Sequence, residues 1–267
     1  MSRAAIWFSH ALLGVCLAAA HPGLEIGLEQ LNAEITASPR DAELYLKRGE
    51  LYAQHEDPVQ AEANFLRAAE LSPALPGLRQ SRGQLALAQR QFSEALVHLN
   101  QALVEEPTNT SAQILRARVY TALKNIPAAL ADYAAAGSRL TSVHPELVLE
   151  HARILPPSEA LQHLDRALTQ IGYVPALLNQ AIAIALSLGL TDEALRWLDH
   201  AVSTSERPEL GLKRRGDILA AAGRRPEAIK AYLNAQKAIN NLPPWLRESP
   251  EITQLSSELS RLTASQS

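Results

Sequence analysis

Four arginines recur in one sequence context. Arg48, Arg82 and Arg116 stand thirty-four residues apart, in "LKRGELY", "QSRGQLA" and "ILRARVY", and Arg215 stands in "LKRRGDI". A guanidinium keeps its charge at any physiological pH, and its fork of donors matches a carboxylate or a phosphate. Such a ladder could read an anionic partner. Alternatively, each arginine could lay its stem along a packing seam and hydrogen-bond across it. The seam reading is favoured, because burial of the stem requires no outside partner.

Other reactive residues form weaker patterns. Beyond residue 20 the histidines are His21, His55, His98, His144, His151, His163 and His200. His144 and His151 are seven apart and could share a helix face. However, Pro145 intervenes, and no carboxylate pattern completes a metal site. His98 and His163 fall at equivalent points of a repeated segment and read as helix-surface residues. The sequence contains no phosphate loop, no HExxH, no GxSxG and no dinucleotide-binding glycine pattern. No catalytic residue, metal ligand or cofactor is expected, and the reading is not that of an enzyme.

The bulk composition limits what can position these groups. The chain has 267 residues, 47% of them hydrophobic and only 4% aromatic, with a formal net charge of -3. That hydrophobic fraction excludes wholesale disorder. Abundant Ala and Leu favour helices over strands. The charge lacks the basic footprint of a nucleic-acid binder.

The first twenty residues, "MSRAAIWFSHALLGVCLAAA", carry an early Arg, an apolar run and a small-residue end. They read as a secretory signal peptide cleaved near Ala20. The run is short for a membrane span, so no stable membrane insertion is expected after cleavage. Cys16, the only cysteine, lies inside it. Lipid attachment there is disfavoured, because Val15 stands where such signals carry a small residue. The expected location is periplasmic or secreted.

The remaining chain is repetitive. Ala61, Ala95, Ala129, Ala160, Ala194 and Ala228 form one column, spaced by 34 residues except for one step of 31. Ala68, Ala102, Ala136, Ala167, Ala201 and Ala235 follow seven residues later. A bulky column lies between them: Phe65, Leu99, Tyr133, Leu164, Leu198 and Tyr232. Gly49, Gly83 and Gly216 mark the preceding helix, with Ala117 and Ile182 at the same point of two other repeats. Glycine inside a helix costs about 1 kcal/mol relative to alanine, so it signals close approach, here of the facing Ala61. Asp57-Pro58, Ser93-Glu94, Thr191-Asp192-Glu193 and Pro226-Glu227 read as starts of the second helices. Gly189 and Gly223 read as ends of first helices.

The segment "AELYLKRGELYAQHEDPVQAEANFLRAAELSP" resembles the tetratricopeptide repeat, a 34-residue helix–turn–helix unit. The resemblance implies an all-α fold: an α-solenoid of about six units over 42–241, the fourth shortened. An N-terminal capping half repeat would occupy 21–41 and a C-terminal capping helix region 242–264, with a frayed end over the last five residues. It further implies a binding groove lined by first helices. Carried onto this sequence, the groove positions are Glu43, Leu46, Glu50, Gln80, Gln84, Leu87, Ile114, Arg118, Thr121, Asn179, Lys213 and Asp217. The expected function is a non-catalytic protein-binding scaffold in the cell envelope. The alternative is a solenoid binding a glycan or small ligand, accessory to cell-wall or polysaccharide processing.

Overall fold

The computed structural model describes residues 22–264, and the proposed leader, with Cys16, lies outside them. The described residues form fifteen helices and no strand. They run α1 (Pro22–Ala37), α2 (Ala42–Gln54), α3 (Pro58–Leu71), α4 (Leu78–Ala88), α5 (Phe92–Glu105) and α6 (Thr110–Ala122). Then come α7 (Ile126–Gly137), α8 (Pro145–Ile154), α9 (Pro157–Ile171), α10 (Pro175–Ser187) and α11 (Thr191–Ser203). The last are α12 (Glu209–Ala221), α13 (Arg225–Asn240), the single turn α14 (Pro244–Arg247) and α15 (Pro250–Ala264). The described residues are all-helical and pack as the paired helices of an α-solenoid fold. They divide into two compact bodies, one ending at Lys124 and the other beginning at Asn125, so that the boundary falls between α6 and α7.

The alanine columns sit in the core because only a small side chain lets two helices approach closely. Ala61, Ala95, Ala129, Ala194 and Ala228 are all 0% exposed, and Ala160 is 1% exposed. In the second column Ala201 is the exception, being only half-buried. The bulky column fills the space between helices: Phe65, Leu99 and Leu164 are fully buried, and Tyr133, Leu198 and Tyr232 nearly so.

The glycines answer to this bulky column more than to alanine. A Cβ on Gly49 would lie 2.6 Å from the Phe65 ring, against 3.1 Å from the Ala61 carbonyl. On Gly83 it would lie 2.7 Å from Leu99 Cγ, and on Gly216 2.3 Å from the Tyr232 ring. The Gly49 backbone therefore receives the flat face or edge of a large side chain, not primarily the Ala61 backbone.

The turns between paired helices share one device. Gly189 and Gly223 have φ of 73° and 75°, the left-handed region expected of them. The equivalent turns of the first three pairs place Glu56, Arg90 and Lys124 in that region, with φ of 59°, 61° and 59°. α9 follows α8 directly after Leu155 and Pro156, without a left-handed residue. Helix starts are capped where an Asx residue is available. Asp57 accepts from the Gln60 amide, and Asn109 from the Ala112 amide. Ser93 and Thr191 do not cap; they lie inside α5 and α11, after Gln91 and Leu190. α15 continues to Ala264, so Thr263 and Ala264 are helical where a frayed end was expected.

Candidate partner-binding face

In the N-terminal body the first helices α2, α4 and α6 neighbour one another in that order. Ser81 on α4 donates its hydroxyl to the Glu50 carboxylate on α2, at 2.6 Å. On these helices Glu43, Gln84 and Arg118 are exposed, and Glu50, Gln80, Leu87, Ile114 and Thr121 are half-buried. Thr121 spends its hydroxyl proton on the Ala117 carbonyl of its own helix, at 2.9 Å. Leu46 departs from the groove assignment. It is buried and belongs to the core cluster containing Leu75 and Leu78. Leu75, in the connection into α4, is buried in the same cluster, so Leu46 is core and not groove lining.

In the C-terminal body the corresponding positions are already engaged. Asn179 on α10 is exposed, and its carbonyl oxygen accepts from Arg214 on α12 at 2.5 Å. Lys213 reaches Asp217 at 3.0 Å and Glu258 of α15 at 3.0 Å. Tyr232 donates its hydroxyl to Asp217 at 3.1 Å, and burial followed by this hydrogen bond pushes the phenol up to about 12. Lys213 and Asp217 thus help dock the terminal helix. Their groove assignment is corrected accordingly: the terminal helix supplies a carboxylate that repeat spacing does not reveal.

The recurring arginines span seams. Arg48 donates to Asn32 at 2.7 Å and to Asn64 at 2.8 Å. Arg116 donates to Asn100 at 2.8 Å, and Arg215 to Asp199 at 2.7 Å. In each case the acceptor on the preceding helix lies sixteen residues earlier. Arg82 finds Leu66 at that point and reaches Glu62 instead, at 2.5 Å. Arg48 also lies over the Tyr45 ring and Arg116 over the Tyr120 ring.

The histidines meet where spacing gave no hint. His144 precedes α8 as its N-cap residue and contacts the Ser142 hydroxyl at 3.2 Å, so it does not pair with His151 on one helix face. His151 on α8 instead meets His163 on α9, edge to face, with ring centroids 4.5 Å apart. Among the described residues no group of three or more His, Cys, Asp or Glu is placed to hold a metal ion.

The sequence model of the tetratricopeptide repeat matches residues 86–140. No curated protein matches the chain in sequence. The C-terminal part of a TPR repeat-containing protein from Cytophaga hutchinsonii is similar in structure, with a TM-score of 0.64 at 14% identity, over 87% of this chain and 94% of that one. PilW, a widely conserved type IV pilus biogenesis factor, gives 0.59 at 16% identity over 72% of this chain and 100% of that one. A tetratricopeptide repeat protein from Parabacteroides merdae gives 0.54 at 18% identity over 90% and 92%. At these identities the likeness is one of fold.

Proposed function

We propose that this chain, a tetratricopeptide-repeat solenoid by fold, is a non-catalytic adaptor of the cell envelope that holds a segment of another polypeptide. The binding surface is the first-helix face of the N-terminal body. One observation carries the reading: Glu43, Gln84 and Arg118 are exposed on α2, α4 and α6, first helices that neighbour one another in that order. The face is mixed in charge and half-apolar at Leu87 and Ile114. Such a surface suits an extended segment carrying both charged and aliphatic side chains, with affinity concentrated in a few contacts.

Export rests on the leader at residues 1–20. No helix among the described residues is long and apolar enough to cross a membrane. The similarity of fold to a type IV pilus biogenesis factor agrees with an envelope role, though fold alone does not assign function. Intact-mass measurement on chain purified from its host tests export: a mature chain beginning at His21 supports it, and a chain retaining Met1 counts against it. Affinity purification tests binding. Glu50→Lys and Arg118→Glu should release a partner that the unmodified chain retains, without changing its helical signal. Retention by both variants would remove the assigned face.

A further inference from the structure

A cleft of about 870 Å³ opens in the C-terminal body, between α7, the connection after it, α8 and α9. It lies in the range of small-molecule sites, which are commonly apolar clefts with a few convergent polar groups. Its lining includes the aliphatic residues Leu140, Val143, Leu147 and Ile171. It also includes His151, His163 and Arg166. Tyr133 stacks on His151, with centroids 5.6 Å apart, and His151 packs against His163. The Nε2 atom of His163 is buried and makes no hydrogen bond within the protein. A buried polar atom left in this way costs stability unless a ligand satisfies it.

The charge of the lining decides which ligand. None of the described lining residues is acidic, and burial first, with the Arg166 guanidinium adding to it, disfavours the protonated forms of both imidazoles. Beside the cleft, Glu146 lies 3.8 Å from His144, and Glu150 accepts from Tyr133 at 3.1 Å. A metal cation would meet Arg166 without a carboxylate in the lining to offset it. An anion would meet a guanidinium and an imidazole N–H. Arg166 is exposed, and its Nε makes only a long contact of 3.3 Å to the Gln162 carbonyl.

We propose that this cleft binds a small amphipathic organic acid, with its carboxylate on Arg166 and His163 and its apolar body against Leu140, Val143, Leu147 and Ile171. Neutral His163 donates from Nε2 to one carboxylate oxygen once the ligand displaces the packing that buries this atom. Arg166 supplies the charge-assisted bonds to the other. This site is separate from the first-helix face of the N-terminal body, so the two proposals stand or fall independently.

Octanoate is the probe, titrated into the full chain at neutral pH while the imidazole signals of His151 and His163 are followed by NMR. The proposal expects saturable shifts at millimolar concentration or below, about 4 kcal/mol of binding or more. Octan-1-ol has the tail without the charge, and inorganic phosphate the charge without the tail. Each should bind at least about tenfold more weakly, as expected for loss of a charge-assisted bond or of apolar burial. Arg166→Gln should weaken octanoate by about tenfold on the same grounds and leave the melting temperature unchanged. Absence of saturable shifts up to about 10 mM, a range covering even weak affinities, would overturn the proposal. So would equal binding of octan-1-ol or phosphate, or unchanged affinity in Arg166→Gln.

Discussion

Arg215 grips Asp199 across the seam between α11 and α12, with Nε 2.7 Å from one carboxylate oxygen and Nη2 3.4 Å from the other. The same sixteen-residue step joins Arg116 to Asn100 and Arg48 to Asn32. These arginines behave as cross-seam fasteners whose stems pack while their heads hydrogen-bond. Side-chain exposures of 27% and 50% for Arg215 and Asp199 keep the pair partly in water, so its contribution is modest. A double-mutant cycle of Arg215→Met and Asp199→Ala should give a coupling of about 0.5–1 kcal/mol in urea unfolding. A coupling indistinguishable from zero, together with lost partner binding in Arg215→Met, would return the arginines to the anion-ladder reading.

Helix propensity and packing oppose each other at the column glycines. Alanine is favoured over glycine in a helix by about 1 kcal/mol. Yet a Cβ on Gly216 would lie 2.3 Å from the Tyr232 ring, and one on Gly49 2.6 Å from Phe65. Gly216→Ala and Gly49→Ala should therefore lose about 1–3 kcal/mol through overpacking. At Gly137, also helical, a Cβ would meet nothing within 4 Å, and Gly137→Ala should be neutral or stabilising. Thermal melts of the three variants check the contrast.

The left-handed turn residues offer the opposite effect. Glu56, Arg90 and Lys124 hold a backbone conformation that costs an L-residue about 1–2 kcal/mol, and glycine adopts it freely. Gly189 and Gly223 already occupy the matching turns. Arg90→Gly, whose side chain is exposed, should raise the urea midpoint, with a gain of up to about 1 kcal/mol after the extra entropy of the unfolded chain is counted. A lower midpoint would mean that the arginine side chain contributes more than the backbone strain costs.

Most of the scaffold was legible because small and bulky residues repeat in register, and that register is what lets successive helices pack. Ala61 through Ala228 and Phe65 through Tyr232 are core residues for this reason. The left-handed turns were legible only where glycine marks them; Glu56, Arg90 and Lys124 carry no such signal. Candidate site residues were less readable. Leu46 shares a core cluster with Leu75, a residue outside the repeat pattern, and Lys213 pairs with Glu258 of the terminal helix. The His151–His163 contact arises where α8 is only ten residues long and joins α9 after two residues. A shortened repeat breaks the register from which neighbours would be inferred.

Acid should weaken the fold through its histidines. Burial first, then His151 and Arg166, hold His163 down at about 4. Burial is also the leading cause lowering His151 and His98, to which Arg166 and Arg82 respectively add. An unfolded imidazole takes up its proton near pH 6.5, so below that value the unfolded chain binds more protons than the folded one. Stability is therefore fully present above about 6.5 and declines as pH falls toward 4. Urea midpoints should drop between about pH 7 and pH 5, and His163→Gln should flatten the drop. Equal midpoints across that window would contradict the buried, neutral state of His163.

The first-helix face of the N-terminal body as the polypeptide-binding surface is tested most directly by photo-cross-linking in the native host. A cross-linker at Gln84 on α4, exposed on that face, should capture one discrete polypeptide, and Glu50→Lys should abolish the capture. A cross-linker at Val97, 57% exposed on α5, should not capture it. Capture of the same polypeptide from Val97 but not from Gln84, or capture from Gln84 that survives both Glu50→Lys and Arg118→Glu, would contradict the assignment.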